Sequence, residues 1–579
     1  MLSSFFPSDS KSQRGLFLTL IALFFALSSG AELIPADRLY NWQPGVTVGV
    51  RGGIPADRKI YKTLTDIDKT GETDVRGAIQ DAINGCPPGQ VVQLPPGRFL
   101  VDGELRMKAG ITLRGAGMDQ TIITNKGGII NSADNSYHRI YMEGPYLSQT
   151  VVAGLTRGST NVVVTNTAAY TVGSPMMIAQ YRSTDQFDNP LITDTTGPSG
   201  TQYDYMYRLL VRVTAIDPDK KITFWPPLPG DMSARKQRVA AAYWNYSGTG
   251  LENFSLYLTG KTMFGIQLGG FQNSWIKGVR VRGASNYSVS LYDCFNFEVR
   301  DCSLEDLDHS GSNGAGLLLN TTCFSLFENN VILNSQPSIE VNSGSCGNVF
   351  GYNFAYNTNG ALAIDSNHGP HNAYNLYEGN VANNLISDGY FGSESEGTVF
   401  RNWIHGTAPS QGNAGGFCIA LKRFTRRYSI VGNLIGRGSP YTMTDDATSF
   451  GTPNMGNGMW SGYAPPWPGW PREGISGFQQ LDTNVLATLV RRGNYSFFSK
   501  SVPEAESLGN ETLPKSLYRL NKPAWFGELT WPPFDPFNPN PSFEAIPAGY
   551  RYVNRKNPPG TPEGGSPLPA PSNLKILPN

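Results

Sequence analysis

Two aspartates, two histidines and a basic pair recur at matching places in the middle of the chain. Asp365 lies twelve residues before Tyr377, and Asp388 lies twelve before Phe400. His371 and Glu394 each lie six before the same two aromatics. On neighbouring parallel strands in register, the aspartates stand about 4.8 Å apart and His371 stacks over Glu394. Two carboxylates that close cannot both ionise freely. Either they share a proton, as an acid/base or nucleophile pair does, or a cation lies between them. Asp365, Asp388, Glu340 and Asn342 together form an oxygen-only ligand set of the kind that suits Ca²⁺. His368, Lys422 and Arg423 supply candidate bases and cations. Each of these residues also has a structural role open to it, since carboxylates at strand ends accept turn N–H groups. The acidic run EDLDH at 305–309 is a second candidate site, or a solvated loop.

The elements that must position these groups repeat. An apolar head, two residues that often include Asn or Gly, and a fourth residue recur from Leu251, Ile276, Val299, Phe327, Phe350, Tyr377, Phe400 and Ile430. The heads are 25, 23, 28, 23, 27, 23 and 30 residues apart. A period of this length with β-branched and aromatic alternation means one solenoid coil per repeat. Neither a leucine-rich consensus nor helical periodicity is present, so a parallel β-helix of short strands is expected. Asn330, Asn353, Asn380 and Asn433 share the fourth place and are expected to stack as amide ladders. Cys323 and Cys346, four residues before their heads, are placed for a disulfide or for two packed thiols. In the strands Ser338-Ile-Glu-Val-Asn, Ala361-Leu-Ala-Ile-Asp and Cys418-Ile-Ala-Leu-Lys, alternation turns Glu340 outward and puts Asn342, Asp365 and Lys422 at strand ends.

Composition fits a large β protein. The 579 residues include 65 Gly and 41 Pro, and only 16% are charged. Lys+Arg and Asp+Glu are both 46, so no basic surplus suggests a nucleic-acid partner. Fifteen asparagines fall between 320 and 384. At the N-terminus Lys11 and Arg14 precede an apolar run at 16–27 and then Ser29-Gly30-Ala31, the order of a secretory signal over 1–31. The run is short for a membrane span. A soluble product, secreted or periplasmic and with no membrane partner, is expected after cleavage. Cysteines beyond the signal show no CxxC spacing.

Residues 73–117 read TDVRGAIQDAINGCPPGQVVQLPPGRFLVDGELRMKAGITLRGAG. A helix at 75–84 leads through Pro-Gly turns into short strands, and it is suited to cap the solenoid's open end. This stretch resembles the opening of the pectate-lyase/epimerase-like superfamily. The resemblance implies an all-β fold: a single-stranded right-handed parallel β-helix with an N-terminal capping helix. It also implies extracellular carbohydrate chemistry, shared by lyases, hydrolases, epimerases and phage tailspikes, and it carries no catalytic residue with it. A polygalacturonase-like motif set is missing; Asn367-His-Gly-Pro is a poor match.

The expected layout is a cap and first coils over 32–146, an inserted small β unit over 147–243 and main coils over 244–440. A Pro/Trp-rich cap follows over 441–556, then a Pro/Gly tail over 557–579. Trp467 and Trp470 suit packing or stacking on a sugar ring. The expected function is a lyase cleaving a uronate-containing polysaccharide, with Asp365, Asp388, His368, Lys422 and Arg423 catalytic. His371, Glu394, Trp467 and Trp470 are expected to bind substrate, and Ca²⁺ is the one cofactor suggested. A glycoside hydrolase or a non-catalytic glycan-binding β-helix remains open, as does oligomeric state.

Overall fold

The structure is a computed structural model. It describes residues 33–131, 148–181, 205–229, 237–241, 246–260, 264–307, 314–357, 362–369, 371–387, 394–406, 418–422, 425–437 and 483–562. The chain winds as a right-handed parallel β-helix with three long sheets. The first runs over twelve strands from Lys59–Thr63 to Val490–Arg492. The second runs over twelve from Thr70–Asp74 to Tyr495–Ser496, and the third over nine from Leu105–Arg106 to Ile419–Leu421. The solenoid therefore continues past 440, with a last coil at 490–496. A helix at Arg76–Gly85 buries Ile79, Ala82 and Ile83 against Leu64 and Phe99, closing the N-terminal end of the core.

Stacked heads fill the interior. Phe327, Phe350 and Tyr377 lie one above another with ring centroids 5.1 and 4.9 Å apart. The next head is Val399, not Phe400, because Tyr377 pairs with Val399 and Val399 with Ile430. This one-residue correction makes the amide ladder continuous. Asn330, Asn353, Asn380, Asn402, Asn433 and Asn494 pass a side-chain hydrogen bond from coil to coil at 2.9 to 3.1 Å. Each ladder oxygen also accepts a backbone N–H from the preceding coil, as Asn380 does from Asn353 at 2.9 Å. The residue just before each ladder position is left-handed, as at Asn329 (φ 58°) and Gly379 (φ 70°). Asn and Gly enter that conformation most readily. Asn380→Ala is expected to cost about 2 kcal/mol or more, because it leaves several buried polar partners unsatisfied. A fall in the urea midpoint at constant m-value would register it; an unchanged midpoint would refute the ladder's role.

Of the two arrangements open to Cys323 and Cys346, the packed thiols are the one found. Cys323 and Cys346 are buried free thiols, as are the other four cysteines. The Cys323 thiol instead donates to the Gly344 carbonyl at 3.4 Å. Stacking in register holds the two Cβ atoms at the strand spacing, farther apart than a disulfide accepts.

Between the first coils and the main coils, six antiparallel strands from Ser148–Ala153 to Gln237–Ala241 close into a small barrel. Its apolar core merges with Phe295, Phe324, Cys346 and Tyr374 on the turn that follows the third sheet.

Candidate functional site

Outward positions vary along all three sheets. On the first and second sheets some are charged and buried in ion pairs, as Glu328 and Arg280 are, and others are apolar and covered. Leu326, Val349, Leu376, Val331 and Phe354 form a second core with Ile34, Trp42, Val48, Phe526 and Tyr552 from the chain's two terminal segments. The N-terminal segment runs from the last coils back to the first: Arg38 donates to the Tyr428 carbonyl, Trp42 to that of Tyr374, and Arg58 to that of Gly110. The C-terminal segment also runs backward, meeting Arg401 at Leu513 and Pro514, Glu378 at Leu517 and Glu328 at Tyr518 and Arg519. It straps many coils rather than capping only the last ones.

On the third sheet Ile339, Val341 and Ile364 face the core. The residues alternating with them, Ser338, Glu340, Asn342 and Asp365, are polar. The adjacent carboxylates mark this face as the candidate site, although Leu318, Ile386 and Ala420 share the same outward column. Strand alternation in the sequence already turns Glu340 outward and puts Asn342, Asp365 and Lys422 at strand ends here.

Glu340 and Asp365 are direct register partners on adjacent coils, so their strands lie about 4.8 Å apart. They are 7% and 2% exposed. The spacing called for Asp365 beside Asp388; the register instead sets Asp365 beside Glu340. Asp365 pairs on its other side with Ile386, so Asp388 falls two residues out of register. One residue of the slip comes from the misplaced head, the other from unequal loops: 12 residues separate Asp365 from Tyr377, and 13 separate Ile386 from Val399. Asp388 itself lies outside the described residues, as do Arg423, Trp467 and Trp470.

His368 is the group that carries this pair toward solvent. Its Nδ1 lies 3.6 Å from Asp365 Oδ2, and its side chain is 31% exposed. Its backbone N–H donates to the Val341 carbonyl, and Asp365 Oδ1 accepts the Asn367 N–H at 3.1 Å. The loop after the strand is thus pinned to the carboxylate it serves. Lys422 follows the last strand of the same sheet, its N–H donating to the Ser387 carbonyl, and is 6% exposed. Asn342 is 8% exposed and its Oδ1 accepts the Ser343 hydroxyl.

His371 and Glu394 do not meet as expected. Glu394 pairs with Asn372, and both His371 and Glu394 are fully buried. His371 Nε2 lies 2.7 Å from the Ser395 hydroxyl, and burial lowers its pKa to about 3. Glu394 accepts the Ser366 hydroxyl at 2.8 Å, and the Tyr428 hydroxyl donates to Ser366 at 3.1 Å. These are interior hydrogen-bonding residues, and the substrate contacts expected of them are corrected accordingly. In the second candidate run, Glu305 pairs with buried Arg280 and Asp306 with Arg282, which makes both structural. Among the described residues no group of three or more His, Cys, Asp or Glu side chains gathers as a metal site would. The same residues hold no helix long and apolar enough to cross a membrane.

A family model described as rhamnogalacturonase A/epimerase, pectate lyase-like, matches residues 65–208. No curated protein matches the chain. Among solved structures, the tailspike gp61 of Pseudomonas phage phi297 is 11% identical at a TM-score of 0.44, covering 63% of this chain; the chain spans 58% of the tailspike. The A-module of mannuronan C-5 epimerase AlgE4 from Azotobacter vinelandii is 16% identical at a TM-score of 0.30, over 64% of this chain and 86% of the module. The polygalacturonase of Erwinia carotovora is 11% identical at 0.29, over 66% and 79%.

Proposed function

On the premise that the chain is a pectate-lyase-like right-handed β-helix, we propose that it is an exported enzyme of acidic polysaccharides that cleaves a uronate polymer by β-elimination. The observation that carries this reading is the buried Glu340–Asp365 pair with half-exposed His368 against it. The buried Asp365 carboxylate beside Nδ1 orients the imidazole. His368 takes the proton beside the uronate carboxyl group, electrons move into a new carbon–carbon double bond, and the glycosidic oxygen leaves with the departing sugar. Lys422, at the end of the sheet's last strand, is the candidate cation to offset the negative charge that develops on the uronate.

Glu340, Asp365 and the Asn342 carboxamide are hard oxygen donors and fit a Ca²⁺ ion, which they would hold between adjacent coils. Bound there, it would neutralise the substrate carboxylate. A retaining hydrolase is the second reading, because two carboxyl groups on neighbouring coils approach the separation that mechanism uses.

Ultraviolet absorbance on a panel of uronate polymers tests the choice. An unsaturated uronide is expected, and its appearance is expected to fall with chelator and return with Ca²⁺. New reducing ends without absorbance would replace elimination with hydrolysis. Neither signal would sink the enzymatic reading in favour of glycan binding alone.

A further inference from the structure

Asn372 is completely buried at the base of the loop that carries His368. On the two coils before it the chain passes quickly from the outward column of the third sheet to the bridge residue of the following turn. It takes five residues from Leu318 to Cys323 and six from Glu340 to Cys346. From Asp365 to Ala373 it takes eight. The strand also ends early: Val341 and Asn342 pair with Leu319 and Asn320 on one side, but on the other the pairing stops at Glu340 with Asp365. The chain thus leaves the sheet directly after Asp365, and the added length brings out His368, whose side chain is 31% exposed. The Val341 carbonyl accepts the His368 N–H and, at 3.0 Å, the Asn372 side chain.

Thr322 and Ser345 fill the place of Asn372 on the two coils before. The Ser345 hydroxyl accepts the Thr322 N–H, just as Asn372 Oδ1 accepts the Ser345 N–H at 3.0 Å. Thr322 donates to the Leu291 carbonyl and Ser345 to that of Asn342. Leu291, Leu319 and Val341 are successive register partners, so the bond from Asn372 to Val341 repeats the one from Thr322 to Leu291. Asparagine adds reach. Its Nδ2 also lies 3.1 Å from the Ser366 carbonyl and 3.2 Å from Asn367 Oδ1. A hydroxyl satisfies the turn on the earlier coils; a carboxamide, with an acceptor and two protons to share, satisfies the turn and holds the longer loop as well.

We propose that Asn372 is a positioning residue of the reaction. By tying Ser366 and Asn367 to the end of the Val341 strand, it fixes His368 Nδ1 at 3.6 Å from Asp365 Oδ2. This rests on the elimination reading for what His368 does, and adds what holds it there.

Asn372→Ser tests the clamp, because serine already serves this place at 345. It keeps the turn and gives up the two loop contacts. On the uronate polymer kcat is expected to fall by about tenfold to a hundredfold, the scale of a misplaced catalytic group, with KM unchanged. The imidazole Cε1–H nuclear magnetic resonance signal of His368, identified by its loss in His368→Gln, is expected to shift or broaden. Asn372→Ala, which gives up the turn as well, is expected to melt lower than Asn372→Ser and to lose no more kcat. Wild-type kcat in Asn372→Ser, a loss of kcat with the His368 signal unmoved, or a loss that follows melting temperature across the two variants would overturn the positioning role and leave the elimination standing. A wild-type protein that releases no unsaturated uronide would overturn the elimination; a His368 signal that still moves in Asn372→Ser would then uphold the clamp by itself, and one that does not would remove both.

Discussion

Asp365→Asn is expected to lower turnover of the uronate polymer by about two to four orders of magnitude with no loss of melting temperature. The two halves of that result have one cause. In the folded protein Asp365 lies in register beside Glu340, and both are buried. Without a bound cation, neutralising one of two adjacent carboxylates relieves repulsion, so the melting temperature measured in chelator holds or rises. The Asn Oδ1 still accepts the Asn367 N–H, which keeps the loop in place. What is lost is the negative charge beside His368 Nδ1. Without it the imidazole can reverse its tautomer to face an amide N–H. Wild-type turnover by Asp365→Asn would remove this carboxylate from the chemistry. A rise in KM with kcat unchanged would assign it a role in binding instead of in orienting His368.

The β-helix and its period were legible because each coil repeats the same local chemistry: an apolar head, a left-handed residue and, from Asn330 onward, an asparagine. The register of the functional face was less so. At Val399-Phe400 two apolar residues compete for the head position, and aromatic size alone favours the wrong one. Asn402 decides it, since only Val399 as head places an asparagine in the ladder. That single slip helped misplace Asp388 and accounts for the failed His371–Glu394 stack. The Glu340–Asp365 pair escaped the same counting, because Glu340 lies 10 residues before Phe350 and Asp365 lies 12 before Tyr377. The covered exteriors of the first two sheets were out of reach for a different reason. Arg38 meets Tyr428 across 390 positions, and no local pattern encodes a contact of that separation. The apolar outward residues that demand such a cover were visible, but not what supplies it.

Arg519→Met is expected to destabilise the protein by about 3 kcal/mol or more, the largest single stability effect the fold predicts. Glu328 sits on the outward side of the first sheet and is completely buried. Arg519 grips it with Nε at 2.8 Å and Nη2 at 2.6 Å, and the Tyr518 hydroxyl donates at 2.7 Å. Arg300 stands farther off, at 3.4 Å. The guanidinium also lies 5.8 Å from the Trp525 ring, which orders its approach. Gly351 lets the strap come this close, because a Cβ there would collide with the Tyr518 hydroxyl. Removing Arg519 leaves a buried carboxylate with one distant counter-charge, and that unpaired charge costs more than the intact pair contributes. Replacing both partners, in Arg519→Met with Glu328→Met, is therefore expected to recover much of the loss. The coupling is read from urea midpoints of the four proteins in a double-mutant cycle. Additive losses would mean the two side chains act independently and that the strap is held by its apolar contacts alone. Faster cleavage within 500–562 of Arg519→Met is expected in limited proteolysis, since the strap is anchored at this point. Its release would uncover Leu326, Val349 and Phe354, whose outward side chains need that cover, and would favour aggregation. Glu340, Asp365 and His368 lie on a different sheet, so turnover by the fraction still folded is expected to match the wild type, which separates the strap's role in stability from the chemistry of the third face.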